Sequence, residues 1–321
     1  MLHLNMRICS LIPSATEMVF ALGQGDRLVA VSHECDYPPE ASRLPKATRS
    51  LIPDGLSSAA LDQAVSSTLE RAGSLYALDF DLLDRLQPDL ILTQRLCDVC
   101  AVSFDTVEEL VKSLKSKPAI LNLEPHTLGE ILDNIRTLGE AIGCPQTAEQ
   151  VVGQMEQRIE AVRSKAADAI KRPRVLCMEW VNPPYCGGHW MKELVEIAGG
   201  HDDLAVDRRP SCRIEWSRVL EFAPEVVVLT CCGFGLERCR QEADILSGFQ
   251  GVQNLPAVQA GRVYATDGSS YFSRSGPRIV ESLEILAHLI HPQLSAPPAL
   301  EQAFARAGFP QFEISRALEP H

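Results

Sequence analysis

Residues 147–170 contain no proline and one glycine, Gly153. Apolar side chains recur at Val151, Met155, Ile159 and Val162, the spacing of one helix face. Read as one helix, the stretch spans roughly 35 Å at about 1.5 Å per residue. That is long for a crossover inside one domain and suits a stiff connector between two.

The pattern on one side of this helix restarts on the other. Arg7-Ile-Cys-Ser-Leu-Ile-Pro13 reads as a strand, followed by a helix that stops at Gly23. Ser14 and Glu17 have the spacing of a capping box at its start. Beyond the connector, Arg174-Val-Leu-Cys-Met-Glu179 is again a strand, with a helix over 191–198 stopping at Gly199-Gly200. Pro88-Asp-Leu-Ile-Leu-Thr93 returns as Pro224-Glu-Val-Val-Val-Leu-Thr230. The strand and helix at 119–123 and 128–142 return at 262–266 and 277–290. Strands alternating with helices predict parallel sheets with crossover helices. The expected architecture is therefore α/β, with two Rossmann-like lobes of parallel sheet joined by one long interdomain helix and a ligand cleft between the lobes. The boundaries are 1–145 for the first lobe, 146–172 for the helix, 173–292 for the second lobe and 293–321 for a peripheral tail.

A length of 321 residues fits this division, at about 150 residues per domain. The formal charge of −12 disfavours nucleic acid and anionic membrane surfaces as partners. No run of about 18 apolar residues predicts a membrane-spanning helix. The 11 cysteines are odd in number and scattered, which reads as reduced thiols. The first residues lack the pattern of an export signal. The expectation is a cytoplasmic monomer, or a periplasmic protein if the true start lies elsewhere.

In open α/β sheets, ligands bind in loops past the carboxyl ends of the strands. The unusual residues of this chain fall in those loops. His33, Cys35 and Tyr37 follow the second strand, and Gln94, Cys97 and Cys100 follow the Pro88 strand. The second half offers Trp180, Tyr185, His189 and Trp190, then Cys232 and Phe234, then Tyr271 and Arg274. Aromatic faces provide area for a large flat ligand, and a few polar groups orient it.

The segments 7–22, Asp36-Tyr-Pro-Pro39, Pro88-Asp-Leu-Ile91, Asn182-Pro-Pro-Tyr185, 224–230 and 271–278 together resemble a known family. It is that of the binding proteins with a helical backbone, which carry vitamin B12, haem and ferric siderophores for ABC importers. The B12-binding branch is the nearest in wording. The resemblance implies a non-catalytic carrier or sensor that holds cobalamin, a related corrinoid or another metal chelate. It places Tyr37, Tyr185 and the 271–274 loop against that ligand. It also implies acidic residues that dock on membrane subunits of the importer, near Asp81 in the first lobe. In the second lobe the matching position falls at Ser217, with Glu215 close by. Cys97-Asp-Val-Cys100, His33, Cys35 and Gly187-Gly-His-Trp190 resemble a subgroup of relatives without export signals.

A second reading rests on the thiols and histidines. Cys97-x-x-Cys100, with Cys35 and His33, could chelate a metal ion, in a binding protein or a metal-dependent enzyme. The same C-x-x-C could serve redox chemistry or a buried wall. His33 or His189 could also ligate the metal of a bound chelate. Motifs for dinucleotide binding, a P-loop or a serine nucleophile elbow are missing, so the chain is expected not to be an enzyme.

Overall fold

The computed structural model describes residues 6–53, 55–95, 102, 104–169, 171–294 and 297–308. The chain divides into two compact units. One comprises residues 1–155 with 275–277, and the other 156–274 with 278–321.

The first unit is built on a four-stranded sheet of β1 (Ile8–Ser10), β2 (Leu28–Val31), β5 (Leu90–Thr93) and β6 (Ala119–Asn122), in the order β2-β1-β5-β6. Every pairing in it is parallel. The crossovers carry α1 (Pro13–Ala21), α2 (Ser58–Ala72), α3 (Phe80–Leu86) and α4 (Phe104–Ser113), and α5 (Leu128–Ala141) follows β6. A small two-stranded antiparallel ladder, β3 (Thr48–Ser50) with β4 (Tyr76–Leu78), is set apart from the main sheet. Cys9, Leu11, Ile91, Val107 and Leu114 are fully buried in one cluster, with Leu83 of α3 among them. Strands covered on both faces read as unbroken apolar runs, as these do.

Helix α1 corrects one expectation. Its N-cap is Ile12, and Pro13 opens the helix at its first position. A proline there costs no hydrogen bond and presets φ. Ser14 and Glu17 thus lie inside the helix and are buried, rather than forming a capping box.

Helix α6 (Pro145–Ala167) passes from one unit to the other, the boundary falling after Met155. Its buried face runs Ala148, Val152, Met155, Ile159, Val162 and Ala166. Val152 takes the place expected for Val151. The alternating steps of four and three hold the stripe on one side of the helix.

The second unit repeats the plan. β7 (Val175–Trp180), β9 (Val226–Leu229) and β10 (Val263–Thr266) are parallel, with β7 next to β9 and β9 next to β10. Helices α7 (Met191–Ile197), α8 (Trp216–Phe222), α9 (Leu236–Ser247) and α10 (Pro256–Gln259) fill the crossovers, and α11 (Ile279–Ile290) follows β10. Both edges of this sheet are antiparallel: β8 (Tyr185–Cys186) on β7, and β11 (Phe304–Arg306) on β10. The sheet is parallel only at its centre. The last of these strands comes from the stretch assigned to a tail.

One local device starts both sheets. A helix ends in a left-handed residue, Gln87 (φ 48°) or Ala223 (φ 47°), and a proline follows. The next residue is acidic. Asp89 Oδ2 accepts from the Arg7 N–H at 2.8 Å, and Glu225 Oε2 from the Arg174 N–H at 3.1 Å. The two arginine Nε groups return to the helix ends, donating to the carbonyls of Leu86 at 2.7 Å and Ala223 at 2.9 Å. The repeat seen in the sequence is therefore a repeat of hydrogen bonds.

Candidate functional site

In the second unit, three loops leave the carboxyl ends of β7, β9 and β10 and hold one another. The Cys232 N–H donates to the Glu179 carbonyl at 3.1 Å, and the Ser269 N–H to the Phe234 carbonyl at 3.0 Å. Gly268 lies so close to the Cys231 carbonyl that a Cβ would overlap it, which requires glycine. The Trp180 and Phe234 rings meet with centroids 4.8 Å apart, and the Arg238 guanidinium lies 4.8 Å from the Phe234 ring. Trp180 Nε1 donates to the Asn182 carbonyl at 3.1 Å. The Tyr185 hydroxyl accepts from Arg213 Nε at 3.1 Å.

Behind this aromatic layer the loops are pinned by acids. Glu179 Oε1 accepts from the Gly188 N–H at 2.8 Å. Its burial raises the carboxyl above the usual range, while the bonds from Gly188 and Ser211 act against that. Asp202 is buried and accepts from the N–H groups of Cys177, Leu204 and Ala205 at 3.2, 3.0 and 3.0 Å. Burial still pushes it up to about 6. His189 adopts a left-handed backbone (φ 49°), and its N–H donates to the Arg209 carbonyl at 2.7 Å. Its ring stacks on Trp190 with centroids 5.5 Å apart. Tyr271 lies in the turn Gly268–Phe272, with the Arg278 guanidinium 5.4 Å from its ring.

Exposure divides the candidates. Trp180, Tyr185, His189, Cys232 and Tyr271 are partly open. Trp190, Phe234 and Arg274 are buried.

In the first unit, His33 is held by Thr48. The Thr48 hydroxyl oxygen accepts from the His33 N–H at 3.0 Å and lies 2.7 Å from His33 Nδ1 and 3.1 Å from Ser32 Oγ, within hydrogen-bond distance of both. His33 Nε2 is buried 3.3 Å from Glu34 Oε1. The His33 and Tyr76 rings lie 5.4 Å apart. Tyr37 is 45% exposed and precedes a cis proline, as does Asn182. Gln94 is buried. Cys35 is not an open loop thiol. It is 1% exposed, with Sγ 3.1 Å from the Thr16 hydroxyl. Cys97 and Cys100 lie outside the described residues. Among the described residues no group of three or more His, Cys, Asp and Glu side chains is placed to hold a metal ion. A pocket of about 330 Å³ opens beside the β3–β4 ladder, lined by Lys46, Arg49, Phe80 and Asp81 among others.

The residues that hold the candidates were silent in the sequence. Thr48 and Arg213 belong to no motif, and only their hydrogen bonds to His33 and Tyr185 mark them.

Two α/β units whose special residues fall past strand carboxyl ends are built to hold a ligand there. The chain belongs to the periplasmic binding protein family, whose sequence model matches residues 8–269. It is 26% identical to the vitamin B12-binding protein of Vibrio cholerae over 281 residues, 87% of this chain and 86% of that one. It is 25% identical to an uncharacterized ABC transporter substrate-binding lipoprotein of Bacillus subtilis over 291 residues, 89% of this chain and 80% of that one. Its fold is similar to that of a periplasmic haem-binding protein from Pseudomonas aeruginosa. The TM-score is 0.70 at 19% identity, covering 95% of this chain and 99% of the other.

Proposed function

We propose that the chain is a substrate-binding protein for a large, flat metal chelate, with a corrinoid such as cobalamin as first choice and haem or a ferric siderophore behind it. The observation that carries this is the partly open aromatic layer of Trp180 and Tyr185 at the strand ends of the second unit. Rings backed by Phe234 and fixed through Asn182 and Arg213 offer rigid apolar faces at low entropic cost. Tyr37, His189, Cys232 and Tyr271 are the other contacts we assign to the ligand. The likeness to a vitamin B12-binding protein supports the corrinoid. Both His33 Nε2 and His189 Nε2 are buried, which favours a face-on grip over an axial histidine.

The family and the lipoprotein relative support delivery to ABC membrane subunits outside the cytoplasm. They give no support to the cytoplasmic expectation. Asp81 and Glu215, on different units, are the acids we assign to docking on those subunits.

Calorimetric titration with hydroxocobalamin tests the ligand. One-to-one saturation is expected, and Trp180→Ala weakens it at least tenfold without changing the fold by circular dichroism. Saturation by haem or a ferric siderophore and silence with cobalamin would reassign the ligand. Silence with all three would remove the reading.

A further inference from the structure

We propose that Cys186 and Cys212 are a disulfide-forming pair that staples the outer edge of the second unit. Their Sγ atoms lie 3.6 Å apart. The Cys186 N–H donates to the Cys212 carbonyl at 3.0 Å, and the Ile214 N–H to the Pro184 carbonyl at 3.0 Å. Tyr185 and Arg213 form the antiparallel bridge between these bonds. Cys186 and Cys212 therefore stand opposite each other on antiparallel strands and project to the same side. Such residues have Cα atoms about 5.5 Å apart, which suits a disulfide. A small rotation of the side chains brings the sulfurs to bonding distance.

The two thiols are unequal in a way that orders the chemistry. Cys212 is exposed and Cys186 buried, and burial pushes the Cys186 thiol up to about 12. The Cys212 thiolate attacks an external disulfide, forming a mixed disulfide and expelling one thiolate. Cys186 then gives up its proton and attacks the Cys212 sulfur, expelling the second thiolate. The pair loses two electrons, the external disulfide takes them, and two thiols leave carrying the protons. The linked residues are 26 apart, and the segment between them supplies Arg209, which holds His189, and Asp202. The bond would thus fix Tyr185 and the loop carrying His189. This inference does not depend on which ligand the chain binds.

The full-length protein, reduced and freed of reductant, is exposed to oxidised glutathione, quenched, alkylated with N-ethylmaleimide and digested. Mass spectrometry is expected to find the Cys186 and Cys212 peptides joined. The thermal midpoint of the oxidised protein should rise by several degrees, and Cys212→Ser should abolish both effects. Both cysteines fully alkylated after oxidation, or a glutathione adduct persisting on Cys212, would overturn the proposal.

Discussion

Asp202 carries a cost that three backbone donors only partly offset. Its folded pKa of about 6 lies above the ordinary 3.8. Below pH 4 both folded and unfolded states hold the proton, and its contribution to stability is fully present. As pH rises through 6 the unfolded chain has released the proton and the folded chain must ionise a buried carboxyl. About 3 kcal/mol is lost across that window. Denaturant titrations from pH 4 to 7 should show this slope in the wild type and a shallower one in Asp202→Asn. Parallel slopes would remove the assignment. His33 shows what sequence can and cannot give at this scale. Its place after a strand is legible from periodicity. Its ring is held by Thr48, fifteen residues away on a separate two-stranded ladder. Cys35 was legible as a loop residue by position, yet its side chain turns inward to Thr16.

At the scale of elements, buried parallel strands and amphipathic helices were readable because burial on both faces, or along one stripe, leaves a pattern. Helices α8, α9 and α10 went unassigned in the sequence, and the strands it did not reveal are those without such a pattern. β3 is Thr-Arg-Ser, β8 is two residues long, and β11 is Phe-Ala-Arg. Three residues cannot display a period, and pairing with a partner strand alone defines them. The turn into α1 was misread because Pro13 and Ser14 both signal a helix start, and the proline prevailed. The device that starts both sheets makes a paired test possible. Asp89→Ala removes one charge-assisted hydrogen bond, Glu225→Ala removes one together with its ion pairs to Arg174 and Lys171, and each should cost about 1.5 kcal/mol. Residues in separate units share no partner, so the two losses should add in the double variant. A strongly non-additive cycle would show that the two devices are coupled.

For the whole molecule, a ligand that binds only the folded chain stabilises it by mass action. At a free concentration 100 times Kd the gain is about 2.7 kcal/mol. Differential scanning with hydroxocobalamin, haem and a ferric siderophore at equal concentration should rank the three by affinity, with the corrinoid first. A ranking led by another chelate would move the assignment while keeping the family. The family was legible because its marks are spread along most of the chain. The ligand was less so, because aromatic loops grip many flat molecules alike.

The β11 strand has a consequence for handling the protein. It occupies the outer side of β10, whose N–H and C=O groups would otherwise form an open row. A bare edge of that kind recruits other chains and leads to aggregation. Residues 304–306 thus act as a guard against self-association, and shortening the chain ahead of Phe304 would trade the last 18 residues for a sticky, polymer-prone product.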